Sequence, residues 1–166
     1  MDATSQTAIF AAGCFWGVQA YIDEIPGVLQ TEVGYTGGHV ASPTYEQVCS
    51  HDTGHAEAVR VRFDPQQVTY HTLLQHFFRL HDPTQLNRQG WDIGDNYRSA
   101  IFYTTDDQRQ QAEALIAELA AKKVYKDPIV TQVVPASDFY LAEDYHQKYF
   151  QKTGRGACHV AYAPIA

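Results

Sequence analysis

The sequence lacks the marks of several protein classes. No apolar run approaches the roughly 20 residues of a membrane-spanning helix, and the polar segment 1–7 has neither the basic nor the apolar region of a secretory signal peptide. The net charge of −7 argues against a nucleic acid or an anionic membrane as the partner, because both require a basic face. These absences predict a cytoplasmic protein that binds neither of them.

Cysteine is also scarce. Three cysteines, an odd number, do not make the disulfide framework of a small secreted domain, although they could include a catalytic pair. The chain has eight histidines, but it has no Cys-x-x-Cys pair and no His-Glu-x-x-His motif. We therefore predict neither a metal nor any other cofactor.

What the chain does have is an ordinary globular composition, with 45% hydrophobic and 19% charged residues. Its 166 residues suffice for one domain with a substantial core. Because no repeat, low-complexity tract or linker interrupts the sequence, residues 1–166 are predicted to form one domain. Its Gly-rich tail, 152–166, is expected to be mobile, and the protein is expected to be a monomer.

Hydrophobic periodicity predicts the secondary structure. Apolar residues at helical spacing predict helices at about 18–25, 70–80 and beyond 105, and also at 139–150. Strands are predicted at 7–12, 28–35, 56–63, 99–103 and 129–134, with long loops at 37–55 and 81–98. The core order β-α-β-β-α-β is that of a ferredoxin-like plait, an α+β fold with a mainly antiparallel sheet, followed here by C-terminal additions.

Cys14 occupies a position that suits a nucleophile. It follows Gly13, where a predicted strand turns into the first turn of a helix. Unpaired backbone N–H groups and the positive end of the helix dipole favour a thiolate there. A buried structural cysteine fits the same position. Phe15 and Trp16 come next, and they are either plain core residues or the wall of an apolar pocket beside the sulfur.

Glu57 is the most informative polar residue. Side chains alternate across a strand, so Glu57 shares a face with the apolar Val59, Val61 and Phe63 of the strand 56–63. Loss of water on that face should raise the pKa of the carboxyl group and make it a proton donor near neutral pH. The alternative is that Glu57 lies at a frayed strand end and points into solvent.

Both long loops contain further candidates, since such loops within a compact domain are usually functional. Tyr45 lies late in the loop 37–55. Asp92 lies in the loop 81–98 near Tyr97, although an Asp in a loop is more often a turn residue or a helix cap.

A second thiol could assist Cys14. Cys158 lies in the Gly-rich segment 154–158, which could swing and bring its thiol to Cys14, although it could equally be an incidental thiol. Cys49 is interpreted as a bystander.

Five short blocks resemble a known family. They are Gly-Cys-Phe-Trp-Gly at 13–17, Pro-Thr-Tyr at 43–45, Gly-His-Ala-Glu-Ala-Val at 54–59, Tyr-Arg-Ser-Ala at 97–100 and Asp-Tyr-His-Gln at 144–147. Together, and in this order, they resemble the peptide methionine sulfoxide reductase A family over about residues 8–149. The chain departs from the family's frequent Gly-Thr-Gln at 94–96, where it has Gly-Asp-Asn, and at Trp91, where smaller residues are usual. Both departures can reshape the rim of the pocket.

The resemblance implies a mechanism for the first half of the reaction. The thiolate of Cys14 attacks the sulfoxide sulfur, and Glu57 donates a proton to the oxygen. The hydroxyls of Tyr45 and Tyr97 hydrogen-bond that oxygen as charge develops on it. Oxidised proteins and free methionine sulfoxide are the substrates that the resemblance implies.

The resemblance also implies how the substrate is selected and how the enzyme is regenerated. Phe15 and Trp16 contact the methyl group and help select the S epimer, while Asp92 orients the site. Cys14 is left as a sulfenic acid, which Cys158 attacks to form a disulfide. Thioredoxin then reduces that disulfide by thiol exchange.

Two other functions are compatible with a reactive thiol. A cysteine peroxidase would share the sulfenic acid and the resolving thiol, but it would require neither an aromatic wall nor a buried acid. A non-enzymatic thiol or metal-binding module would show no turnover.

Overall fold

The structure is a computed structural model that describes residues 5–50, 52–149 and 152. The first half contains β1 (Gln6–Ala12), α1 (Phe15–Ile22), β2 (Val28–Thr36), α2 (Tyr45–Cys49), β3 (Ala56–Phe63) and α3 (Tyr70–Arg79). The second half contains β4 (Arg88–Gln89), β5 (Asp92–Ile93), β6 (Ser99–Tyr103), α4 (Asp106–Ala121), β7 (Gln132–Pro135) and β8 (Phe139–Leu141). Short 3-10 turns span Asp95–Tyr97 and Asp144–His146.

Six strands form one sheet in the spatial order β7-β6-β1-β3-β2-β8. Every neighbouring pair is antiparallel except β6 and β7, which are parallel. Strands β4 and β5 form a separate two-stranded hairpin. The fold is therefore α+β with a mainly antiparallel sheet, as the sequence predicted.

The sheet buries its two faces differently. One face carries the main core, to which α1, α3 and α4 contribute Phe15, Phe77 and Leu115. The other face carries a smaller cluster of mostly short side chains that includes Ala58 and Phe102. Helices α1, α3 and α4 therefore all pack on the first face. Helix α1 packs there against β2 and β3.

The loop predicted at 37–55 contains a helix that periodicity did not reveal. Helix α2 begins after Thr44, whose side chain accepts a hydrogen bond from the Gln47 backbone, while the Gln47 side chain accepts one from the Thr44 backbone. This reciprocal pair is a capping box, and it stabilises a helix too short to show an apolar stripe.

The helix predicted at 139–150 is wrong over residues 139–148. Residues Phe139–Leu141 form β8, which pairs with the edge of β2, and a 3-10 turn follows at Asp144–His146. The pairing depends on Gly34 of β2, because a side chain there would collide with the Phe139 ring and the Tyr140 carbonyl. Hydrogen bonding to an open sheet edge therefore overrides the helical spacing of the apolar residues. Across the described residues, no helix is both long enough and apolar enough to cross a membrane.

Candidate active site

Cys14 lies at the junction between β1 and α1. It is the N-cap residue of α1, and Gly13 before it adopts a positive φ of 94° that turns the chain from strand to helix. Its side chain is largely buried, with 8% exposed. The sulfur is thus held near the N-terminus of the helix, where the dipole favours a thiolate.

Glu57 lies on the core face near the beginning of β3. Its side chain is only 1% exposed, which agrees with the strand alternation and excludes the solvent-exposed alternative. The Phe15 backbone N–H donates a hydrogen bond to Oε1 of Glu57, and the Asn96 side-chain amide donates one to Oε2. The distance from nitrogen to oxygen is 3.3 Å in both. The residue directly after Cys14 is therefore bonded to the buried carboxyl group.

The two tyrosines that the sequence singled out lie near this carboxyl group. Burial, followed by the charge of Glu57, raises the pKa of Tyr45 above its ordinary value, and the same two causes raise the pKa of Tyr97. Both phenols consequently stay protonated throughout the neutral range and remain hydrogen-bond donors. The charges of Asp92 and Cys14 also act on Tyr97. The structure thus brings five residues close together: Cys14, Tyr45, Glu57, Asp92 and Tyr97.

Phe15 and Trp16 differ in exposure. Phe15 is fully buried in the core, whereas Trp16 is partly buried and stacks on Tyr149 with ring centroids 3.9 Å apart. Both rings lie against Tyr45, at centroid distances of 6.5 Å for Phe15 and 6.3 Å for Trp16. Two aromatic side chains from α1 therefore border the Tyr45 ring.

Glu143 is a site residue that the sequence interpretation missed. Its Oε1 accepts a hydrogen bond from the Tyr35 hydroxyl at 2.8 Å, and its Oε2 accepts one from the Tyr45 backbone at 2.9 Å. These contacts bind the start of α2 to the turn after β8. The Asp-Tyr-His-Gln block at 144–147 pointed to this turn, but placing it in a helix concealed the contact.

Of the two cysteines other than Cys14, the structure describes Cys49 only. Tyr45 and Glu57 both act on the Cys49 thiol electrostatically, so the presumed bystander lies beside the site. Burial raises the pKa of the Cys49 thiol, although the neighbouring Tyr45 opposes this rise. Cys158 and the tail that carries it lie outside the described residues.

Solved structures with the same fold come from bacteria and yeast. Mxr1 from Saccharomyces cerevisiae in its reduced form matches with a TM-score of 0.88 at 33% identity, covering 98% of this chain and 94% of that one. Methionine sulfoxide reductase A of Corynebacterium diphtheriae matches with a TM-score of 0.82 at 38% identity, covering 94% and 78%. Mxr1 has also been solved in an unusual oxidised form and in complex with Trx2.

Sequence similarity is stronger still. "Peptide methionine sulfoxide reductase MsrA" of Methanosarcina acetivorans is 57% identical over 149 residues, which make up 90% of this chain and 79% of that protein. The profile of the family described as "Peptide methionine sulfoxide reductase" matches residues 6–166. The chain therefore belongs to the peptide methionine sulfoxide reductase family, whose members are oxidoreductases that reduce methionine sulfoxide.

Proposed function

We propose that the chain reduces the S epimer of methionine sulfoxide, with Cys14 as the nucleophile and Glu57 as the proton donor. The observation that carries this proposal is the 3.3 Å hydrogen bond from the Phe15 N–H to Glu57. It ties the backbone next to the nucleophile to a buried carboxyl group, so that an attacking sulfur and an acid can act on the same small group.

In the first half-reaction the Cys14 thiolate attacks the electrophilic sulfur of the sulfoxide. This attack forms a bond between the two sulfur atoms, and the oxygen takes a proton from Glu57. The resulting hydroxyl group passes to the Cys14 sulfur as the S–O bond of the substrate and the new S–S bond both break, which leaves Cys14 as a sulfenic acid and releases the thioether of methionine. Tyr45 and Tyr97 donate hydrogen bonds to the oxygen as its negative charge develops. Asp92, whose charge acts on Tyr97, helps to orient that hydroxyl.

The aromatic side chains are proposed to recognise the methyl group of the substrate. Trp16 is partly exposed beside Tyr45, and Phe15 packs behind the same ring. With the oxygen held by the tyrosines, the methyl group by the aromatic wall and the rest of the substrate directed out of the site, only one epimer leaves its sulfur open to attack by Cys14. The substrates are free methionine sulfoxide and oxidised proteins.

The second half-reaction is proposed to use Cys158. Its thiol would attack the sulfenic acid of Cys14, form a disulfide and release water, after which thioredoxin would reduce the disulfide. Burial raises the pKa of Cys49 and makes its thiolate scarcer than that of an ordinary exposed cysteine, which argues against Cys49 as the resolving residue. The complex of the similar protein Mxr1 with Trx2 supports a thioredoxin as the reductant.

The variant Cys158→Ser is expected to separate the two half-reactions. One equivalent of methionine should still form per enzyme, because this step needs only Cys14 and the acid. Turnover with thioredoxin should fall at least about tenfold, because thioredoxin acts on a disulfide, whereas dithiothreitol can attack the sulfenic acid directly and should retain part of the rate. Steady-state rates with each reductant, together with quenched single-turnover yields, would check this.

Cys49→Ser is the matched control and should leave both steady-state rates nearly unchanged. If Cys49→Ser blocks thioredoxin-linked turnover and Cys158→Ser does not, the resolving role belongs to Cys49. If neither substitution matters, an external thiol resolves the sulfenic acid.

An epimer-resolved assay with dithiothreitol as reductant tests the proposed activity itself. The S epimer should be consumed and the R epimer left, because the two require different enzymes. Faster consumption of hydrogen peroxide than of either epimer would instead support a cysteine peroxidase.

The ferredoxin-like plait is also proposed for the core. Strands β1, β2, β3 and β6 lie in the spatial order β6-β1-β3-β2 with antiparallel neighbours, which is the arrangement expected for a split βαβ fold. A monomeric state and a cytoplasmic location stay expectations from the sequence.

A further inference from the structure

His146 is a titratable side chain at the site for which the chemistry above has no use. It is 0% exposed and lies at the end of the 3-10 turn after β8. Its imidazole ring packs against three rings of the site, with centroid distances of 5.2 Å to Phe15, 5.6 Å to Trp16 and 4.4 Å to Tyr45. His146 therefore adjoins every ring of the proposed methyl-binding wall.

A hydrogen bond fixes which nitrogen of His146 carries the proton. The indole Nε1–H of Trp16 donates to Nδ1 of His146 over 2.9 Å. Because an indole N–H can only donate, Nδ1 must be the unprotonated acceptor, and a neutral imidazole then carries its proton on Nε2. Burial lowers the pKa of His146, although Glu143 opposes this, so the neutral ring is favoured.

The protonated Nε2 faces Glu143. The Nε2 atom lies 3.9 Å from Oε1 of Glu143 and makes no hydrogen bond with any of the described residues. Glu143 itself is held by the Tyr35 hydroxyl and the Tyr45 backbone. The charge of a fixed carboxylate on this side favours the proton on Nε2, and it therefore supports the tautomer that accepts from Trp16.

We propose that His146 is a positioning residue that fixes the orientation of the Trp16 indole at the sulfoxide site by accepting its N–H. The proposal rests on the proposed role of Trp16 in holding the methyl group. Trp16 stacks on Tyr149, and stacking alone leaves the indole free to slide and turn within its plane. The hydrogen bond to a buried, tautomer-fixed ring removes that freedom, because its direction is set by the Nδ1 lone pair.

Two substitutions separate this role from simple packing. His146→Leu fills similar space but cannot accept a hydrogen bond, whereas His146→Asn keeps an acceptor oxygen near the place of Nδ1. We expect His146→Leu to raise KM for the S epimer about fivefold to tenfold, the scale of one lost hydrogen bond, and to reduce discrimination between epimers. His146→Asn should recover most of both losses.

The double-variant comparison uses Trp16→Phe, which has no N–H to donate. In that background His146→Leu and His146→Asn should give the same KM and the same epimer ratio, because the hydrogen bond is already gone. If the two His146 variants are equally impaired with Trp16 present, or if their difference persists in Trp16→Phe, the role of His146 is packing alone and the proposal fails.

A fluorescence measurement keeps this test independent of catalysis. The chain has two tryptophans, and Trp91 is 98% exposed at the β4–β5 hairpin, so Trp91→Phe leaves Trp16 as the reporter. In that background the emission maximum and anisotropy of Trp16 should change with His146→Leu and return towards the parent values with His146→Asn. Unchanged emission in His146→Leu overturns the positioning role, whereas altered emission without any sulfoxide reduction overturns only the proposed function.

Discussion

Cys14→Ser is expected to abolish reduction of methionine sulfoxide, with a loss of at least about a thousandfold in single-turnover methionine formation. A serine hydroxyl is almost entirely protonated at neutral pH, and even at a helix N-terminus it is a far weaker nucleophile than a thiolate. Quantifying methionine after one turnover, without any reductant, measures this step alone. Because this step precedes regeneration of the enzyme, steady-state assays with thioredoxin and with dithiothreitol should both show the loss.

The fold should survive this substitution. Cys14 is the N-cap of α1 but makes no side-chain capping hydrogen bond, and serine is a preferred N-cap residue. The circular dichroism spectrum should therefore match that of the parent, and the midpoint of thermal unfolding should be equal or higher. A folded Cys14→Ser variant that still forms methionine at more than a few per cent of the parental rate would contradict the nucleophilic role.

Periodicity sufficed for the central strands because their side chains alternate about a buried face. The same alternation placed Glu57 on the core face, and its 1% exposure agrees with that reasoning. The position of Cys14 at a strand-to-helix turn was equally readable, since Gly13 marks the turn in the sequence. These features depend on residues within a few positions of one another.

Contacts between distant residues explain what the sequence did not reveal. The bond from Trp16 to His146 spans 130 positions, and those from Tyr35 and Tyr45 to Glu143 span 108 and 98. No local sequence pattern predicts such contacts. The sequence analysis included His146 only as part of the block 144–147 that resembles the family. The strand β8 was missed for the same reason, because its partner β2 lies about a hundred residues earlier.

The order of strands in space explains how separate segments meet at one site. Strand β1 lies between β6 and β3, so the end of β1, the start of β3 and the segment before β6 all lie at the same end of the sheet. Cys14, Glu57 and Tyr97 occupy these three places. Antiparallel pairing thus assembles nucleophile, acid and hydroxyl without any long-range feature that is visible in the sequence.

Glu57→Gln is expected to lower the rate of methionine formation by about a hundredfold to ten-thousandfold, the range that general acid catalysis contributes. An amide keeps the shape of the side chain but cannot donate the proton that the departing oxygen requires. Glu57→Asp retains an acid one methylene further back and should lose less. Single-turnover rates of the three proteins at neutral pH, with the S epimer in excess, give the comparison.

Glu32→Gln is the matched control, since it also removes a sheet carboxylate. Glu32 pairs with Arg60 at 2.8 Å, but both side chains are partly exposed, so this loss should leave the rate of methionine formation near that of the parent. A comparable fall in Glu32→Gln would show that the rate responds to charge in the sheet in general and not to a proton from Glu57.

The site can offer a hydrogen-bond partner to both polar atoms of the amide in Glu57→Gln. Its oxygen can still accept from the Phe15 N–H, as Oε1 of Glu57 does. Its nitrogen would face the Asn96 amide, whose Oδ1 has no hydrogen-bond partner among the described residues. A half-turn of the Asn96 carboxamide presents that oxygen to the new donor, and the Asn96 NH2 group then takes the place in which the oxygen made no hydrogen bond, so the number of unpaired buried groups does not rise. The unfolding curve of Glu57→Gln should therefore overlay that of the parent. If this folded variant forms methionine at nearly the parental rate, Glu57 has a structural role and is not the proton donor.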